Sequence, residues 1–316
     1  MRVLITGGGG YKGTILVNRL LNSKRIKQIV VIDTFWFGNY LGKNKKLKII
    51  KKNILDISIK DIKGVNTIIH LAAIANDPAS DLNVKLTWEY SCLGTMKLCE
   101  LAKKIKIKKF IFASSGSVYG IKKERQVTEN LDLKPISDYN KTKMITEKML
   151  LSYGKFFKIY IIRPGTVYGY SPRMRLDLTL NILTFSALKK GIIKVFGGKQ
   201  IRPMIHIDDI TGIYLYILFN KVKSGIYNAS NTNISIYKLA LLIKKVIGKN
   251  IEIKIQRSND PRSYRLNSDK IVKAGYDFKK NIIDGINDIK YFYEKGLIKN
   301  DEKNYSISWI KKYDEK

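Results

Sequence analysis

The 316-residue chain is poor in several residue types, and each shortage excludes something. There are two cysteines, Cys92 and Cys99, seven apart in what reads as one helix. That places them roughly two turns from each other, too far to bridge, so a disulfide-stapled scaffold is excluded and a reducing cytoplasm is expected. The two histidines, His70 and His206, form no metal-ligand cluster; no metal is expected, and each reads as completing local hydrogen bonds. The longest apolar run, Ile213 to Phe219, is far short of the ~20 residues of a spanning helix. Met1 to Ile5 enters a strand and meets glycine at once, without a signal-peptide run. No membrane partner is expected. Acidic residues are also scarce, 26 Asp and Glu against 59 Lys and Arg, a net +33. Such a charge can serve a polyanion. Yet only 11 of the basic residues are Arg, and the lysines of 43–52 and 103–109 alternate with Ile and Leu as amphipathic surface does. Nucleic-acid sites favour arginine, so nucleic acid is not the expected partner.

What the chain does have is an alternation of β-rich runs and helical stretches. Val3 to Thr6, Ile29 to Ile32, Thr67 to Leu71, Phe110 to Ala113 and Ile159 to Ile162 read as strands. Between them, 84–104 and 139–151 carry apolar residues at helical spacing. This pattern predicts an α/β fold, a Rossmann-like doubly wound parallel sheet with a smaller C-terminal α/β substrate lobe. The expected boundaries are 1–165 for the dinucleotide-binding part, with 205–228 returning to it, and 166–316 for the substrate lobe. Ligands of such sheets sit at the carboxyl ends of the strands.

Thr6-Gly7-Gly8-Gly9-Gly10-Tyr11-Lys12-Gly13 follows the first strand and opens a helix carrying Leu16, Val17, Leu20 and Leu21. Glycines let backbone approach a diphosphate, and the free N–H groups and dipole of a helix start favour it. Gly7, Gly10, Tyr11, Lys12 and Gly13 are therefore expected to bind a dinucleotide. Asp33 lies 20 residues beyond Gly13 at the end of the second strand. A carboxylate there accepts ribose hydroxyls and repels a 2′-phosphate, which predicts NAD over NADP.

Tyr139 and Lys143 lie four apart at a helix start and so share a face. A close ammonium together with a positive nicotinamide favours the phenolate, and the tyrosine can then exchange a proton with a sugar hydroxyl or carbonyl. The spacing does not discriminate by itself, since 19 Tyr and 48 Lys give about three such pairs by chance and the chain has four. Context selects this one: it alone lies between the strand end Ser114-Ser115-Gly116-Ser117 and the next strand with a helix of the right length after it. Ser115 is expected to share the substrate oxygen's proton.

Together these residues resemble the extended short-chain dehydrogenase/reductase family, in particular its NAD-dependent nucleotide-sugar epimerases and dehydratases. The resemblance extends to Asp56-Ile57, where the family contacts adenine, and to His70-Leu71-Ala72-Ala73, which lines the cofactor cleft in the family. It extends further to Arg163-Pro164-Gly165-Thr166-Val167-Tyr168-Gly169, to Arg202 with Ile205 to Asp209, and to Asp260-Pro261-Arg262. It implies catalytic Ser115, Tyr139 and Lys143, cofactor contacts from Asp56, Ile57, Leu71, Ala72, Ala73, Tyr139 and Lys143, and substrate contacts from Thr166, Asn181, Arg202 and Arg262. It also implies a nucleoside-diphosphate-sugar substrate and a homodimer through the two long helices, with apolar faces around Leu98 and Met144.

The reaction implied is hydride transfer from a sugar carbon, usually C4, to NAD. Gly116-Ser117 stands where the family's 4,6-dehydratases carry Asp-Glu, which argues against dehydration. The Cys and His used by 3,5-epimerising reductases have no counterpart. A 4-epimerase remains, with a C4 dehydrogenase or reductase as the alternative. A catalytically silent NAD scaffold that binds RNA or a partner protein is the alternative of another class. The run Tyr170 to Asp177 resembles a subgroup serving surface-polysaccharide sugars. Ser91 and Thr166 replace asparagines common in the family, changes that touch sugar recognition.

Overall fold

A computed structural model describes residues 1–248, 250–258 and 263–314. The first half is built from β1 (Arg2–Thr6), α1 (Tyr11–Leu21), β2 (Gln28–Asp33), β3 (Leu47–Lys51), α2 (Ile59–Ile62), β4 (Thr67–His70), α3 (Asp77–Leu82), α4 (Val84–Trp88), α5 (Gly94–Lys104), β5 (Lys109–Ala113), α6 (Asp138–Ser152) and β6 (Lys158–Pro164). After it come β7 (Thr166–Tyr168), α7 (Thr179–Lys190), β8 (Ile192–Phe196), β9 (Ile201–His206), α8 (Ile207–Phe219), β10 (Gly225–Ala229), β11 (Thr232–Ser235), α9 (Ile236–Ile247), β12 (Glu252–Gln256), α10 (Asp269–Lys273), α11 (Ile282–Glu294) and α12 (Ser306–Asp314).

The central sheet has seven parallel strands in the order β10-β6-β5-β4-β1-β2-β3. Its inner strands are runs of Val, Ile and Phe buried on both faces, as a parallel sheet covered by helices on each side requires. One face packs with α1, α8 and the second lobe into one core, and the other packs with α5 and α6 into another. β3 falls inside the lysine-rich stretch 43–52. It is the edge strand, and its exposed Lys48 and Lys51 put charge on that edge, which discourages pairing there. The order reverses between β1 and β4, and the cleft opens at their carboxyl ends.

The second lobe holds a three-stranded sheet, β11-β9-β7, and the parallel pair β12-β8, beside the mutually packed helices α7, α9 and α11. A single residue, Gly165, separates β6 from β7, and a Cβ on it would lie 2.6 Å from the Pro203 carbonyl carbon. The chain then goes back: α8 packs on α1, and β10 pairs with β6 from Gly225↔Tyr160 to Ala229↔Pro164. No helix among the described residues is long and apolar enough to cross a membrane.

The stretch 84–104 is not one uniform helix. Between α4 and α5, Glu89–Leu93 widen into a π turn in which the Gly94 N–H reaches back to the Glu89 carbonyl. The turn aims Tyr90 at the cleft, while Leu98 and Cys99 stay in the core.

Candidate active site

The glycine segment forms a cradle that admits no side chains. Gly7 has φ +72°, and a Cβ on it would sit 2.6 Å from the Ala72 nitrogen. A Cβ on Gly13 would sit 2.5 Å from the Gly7 carbonyl oxygen. Gly10 is the N-cap of α1 and offers no side-chain cap, which leaves the first-turn N–H groups facing a cavity of about 450 Å³. Gly7, Gly10, Tyr11, Lys12 and Gly13 all line that cavity, as do Leu71, Ala72 and Ala73 beyond β4. The Tyr11 ring itself is buried, and its hydroxyl donates to the Gly169 carbonyl at 2.6 Å. His70 ends β4 and completes local hydrogen bonds, to Thr6 Oγ1 at 2.5 Å and Thr95 Oγ1 at 2.8 Å. Burial holds its ring neutral, down to about 3.

Asp33 ends β2 at the cavity wall and accepts from the N–H groups of Gly9 at 2.9 Å and Phe35 at 2.7 Å. Burial raises its carboxyl, against the pull of those two amides and of Arg173. The adenine contact expected at Asp56 and Ile57 falls just beyond the cavity wall. Asp56 is exposed and Ile57 is buried in the core, whereas Asn53 and Ile54 line the cavity directly after β3.

On the facing wall stand Ser115 and Tyr139. Ser115 caps the short 3₁₀ turn Gly116–Tyr119 after β5, and Tyr139 sits in the first turn of α6, which Ser137 caps. The Ser115 hydroxyl lies close enough to the Tyr139 phenol to pull it down. Burial first, and then the Asp77 carboxylate, push the Tyr139 phenol up to about 12, while Ser115 and Arg175 pull against them. The Lys143 ammonium is 5.8 Å from the Tyr139 ring centroid and donates to the Ala113 carbonyl at 2.9 Å. Burial and then Lys12 lower it to about 7, which removes much of its charge.

A polar chain runs behind the pair. Ser115 meets Ser117 at 2.7 Å, Ser117 donates to Asn140, and Asn140 donates to Asp77 at 2.8 Å. Ser117, Asn140 and Asp77 were not singled out from the sequence; an Asn-Asp-Pro helix start at 76–78 was the only available signal. Deeper, Glu147 on α6 forms a buried ion pair with Arg163 on β6 and accepts from Ser114. Arg163 also donates to Tyr119 Oη at 2.7 Å. The pair locks α6 to the ends of β5 and β6, and so fixes Tyr139 against Ser115.

The second lobe closes the cavity with Thr166 on β7, Arg202 on β9, Tyr264 and the 169–177 loop. In that loop Arg175 forks onto Asp177, both bonds 2.9 Å. Ile307 and Ile310 of α12 complete the wall beside α3. Asn181, expected to meet substrate, is fully buried: its amide donates to Tyr11 Oη and the Arg175 carbonyl, and its oxygen accepts from Gly169 N–H. It does not line the cavity. Arg262 lies outside the described residues.

The chain matches the NAD dependent epimerase/dehydratase family over residues 3–230. It is 33% identical over 230 residues to an uncharacterized UDP-glucose epimerase, YtcB, of Bacillus subtilis, covering 66% of this chain and 70% of that one. It is 26% identical over 301 residues to UDP-glucose 4-epimerase of Lactobacillus helveticus, covering 85% and 89%. Among solved structures, UDP-glucuronic acid 4-epimerase from Bacillus cereus, in complex with UDP-glucuronic acid and NAD, superposes with a TM-score of 0.83 at 27% identity, covering 93% and 100%. The glycine cradle, the Asp33 carboxylate and the Ser115–Tyr139 pair thus belong to an enzyme whose cofactor is NAD, and the chain is a member of the NAD-dependent epimerase/dehydratase family.

Proposed function

We propose that the protein is a 4-epimerase of a nucleoside-diphosphate sugar, working through a 4-keto intermediate in the supply of surface-polysaccharide sugars. The observation that carries this reading is one cavity lined by Ser115 and Tyr139 together with the glycine cradle and the second-lobe residues Thr166 and Arg202. The epimerases among the relatives support it. NAD bound on the cradle supplies the hydride acceptor and, after reduction, the donor. Tyr139 exchanges the proton of the sugar's C4 hydroxyl, and Ser115 holds the same oxygen. As a phenol raised to about 12, Tyr139 is a proton donor at neutral pH, suited to protonating the oxygen as the keto sugar is reduced. Lys143 orders the cofactor side of the site. Arg202 holds the sugar nucleotide's diphosphate, and Arg262 is proposed to share it. We take the chain to work as a homodimer through α5 and α6. Leu98 is buried within the protomer, so the apolar row offered to a partner is Leu93, Met96, Ile145 and Leu151.

Proton NMR of the protein with NAD and UDP-, dTDP-, GDP- and CDP-sugars tests the reading. New anomeric signals of a C4 epimer without net NADH are the expected result; stoichiometric NADH instead makes it a C4 dehydrogenase. Replacement of Tyr139 by Phe should lower kcat by about 10²- to 10⁴-fold with NAD affinity intact. Near-normal turnover would assign the proton transfer to another group.

A further inference from the structure

The cavity holds one buried cation that the reading above does not use. Arg173 is 3% exposed, in a loop that the second lobe lays over the first turn of α1. Three hydrogen bonds tie the loop there: Tyr11 Oη to the Gly169 carbonyl at 2.6 Å, Ser171 Oγ to the Tyr11 carbonyl at 2.8 Å, and Thr14 Oγ1 with Ser171 Oγ at 2.8 Å. The Arg173 guanidinium is seated 3.8 Å above the Phe37 ring, in the segment that follows Asp33. Its Nη1 donates to the Met174 carbonyl at 3.1 Å, and its Nε has no partner. No carboxylate of the described residues lies within ion-pair distance of it.

A desolvated guanidinium without a counter-ion is unfavourable, and a planar fork with unspent donors matches phosphate oxygens. Its neighbour Arg175 is committed to Asp177. Arg202 lies on β9, two residues before Met204, the β7–β9 partner of Thr166. The charge on Arg173 persists at neutral pH, since burial and Arg175 lower it only to about 9. The acidic groups in its field include Asp33, Tyr40, Asp177 and the Tyr11 phenol.

We propose that Arg173 is a cofactor-binding residue supplied in trans by the second lobe, and that its guanidinium, seated on Phe37, takes the diphosphate of the dinucleotide together with the N–H groups of the glycine loop. The inference rests on NAD dependence and not on which sugar reacts. The two lobes would then hold the cofactor jointly.

The test is the NAD dissociation constant, read by calorimetry without any sugar, for the wild type, Arg173→Met and Arg173→Lys. Methionine keeps an apolar stem on Phe37 and removes the charge; it should weaken NAD by about 10- to 100-fold. Lysine keeps the charge and loses the fork, and should fall between the two. Binding by Arg173→Met within about twofold of wild type would overturn the proposal and leave Arg173 a packing residue or a sugar-nucleotide contact. If the methionine variant does not fold, the lysine variant decides: an unchanged constant overturns the proposal, and a three- to tenfold loss supports it. None of these outcomes depends on turnover, so failure of the epimerase reading shows separately.

Discussion

At the residue scale the site is held by groups that never meet a ligand. Glu147 and Arg163 are buried beside Ser114 and Tyr119, and each neutralises a charge the core could not otherwise carry. Changing Glu147 to Gln should therefore destabilise by about 3–5 kcal/mol, because the guanidinium is left uncompensated; urea midpoints of variant and wild type measure it. His70 gives a pH signature. Its folded value near 3 lies below the usual 6.5, so protonation favours the unfolded chain. Its contribution is complete above about pH 6.5 and is lost as the pH falls toward 3. Denaturant titrations between pH 7 and 4 should show this slope, and His70→Asn should flatten it. Legibility in the sequence differed from residue to residue. Ser115, Tyr139 and the glycines lie where strand ends and helix starts force them, so position could be read from pattern. Asn53-Ile54 and Asp56-Ile57 are both a polar residue before isoleucine, and that the first of them lines the cavity follows only from where β3 ends. Asn181 was undecidable, because whether an amide on a helix faces ligand or core depends on what packs over it.

At the scale of elements, the strands of the central sheet were legible as β-branched runs between helices. The π turn was not. Leu86, Tyr90, Leu93, Leu98 and Leu101 fit helical spacing with or without one extra residue, so the insertion leaves no mark on the periodicity. Its cause is local: the Ser91 carbonyl accepts the Thr95 and Thr146 hydroxyls, and Thr95 meets His70, which binds the turn to β4 and α6 together. Gly94, where the regular helix resumes, lies against Ile54, and a Cβ there would come 2.6 Å from Ile54 Cγ2. Alanine is the better helix former by about 1 kcal/mol. Even so, Gly94→Ala should lower stability by about 1–3 kcal/mol, because a β-branched neighbour in a packed core has no other rotamer to take. A thermal melt that rises instead would show that Ile54 can move, and with it the cavity wall it forms.

At the scale of the whole molecule, the pairings of the second lobe, β7 with β9 and β8 with β12, were not legible, because short strands paired across the chain have no periodic signature of their own. The proposed homodimer belongs here as well. Light scattering at micromolar concentration should give twice the 36.3 kDa of the chain, and Met96→Asp combined with Ile145→Asp on the exposed row should give the monomer. A monomeric wild type would instead leave that row without the partner proposed for it. The return of β10 to β6 also bears on how the protein is made. Pro164 leaves the ribosome before Ala229, and at about 5–20 residues per second the interval between them is roughly 3–13 s. During that time β6, with Ile159, Ile161 and Ile162, is the bare edge of an unfinished sheet. The nascent chain is then open to strand pairing with a neighbour on the same polysome, a hazard that ends only when residues 225–229 arrive to close it.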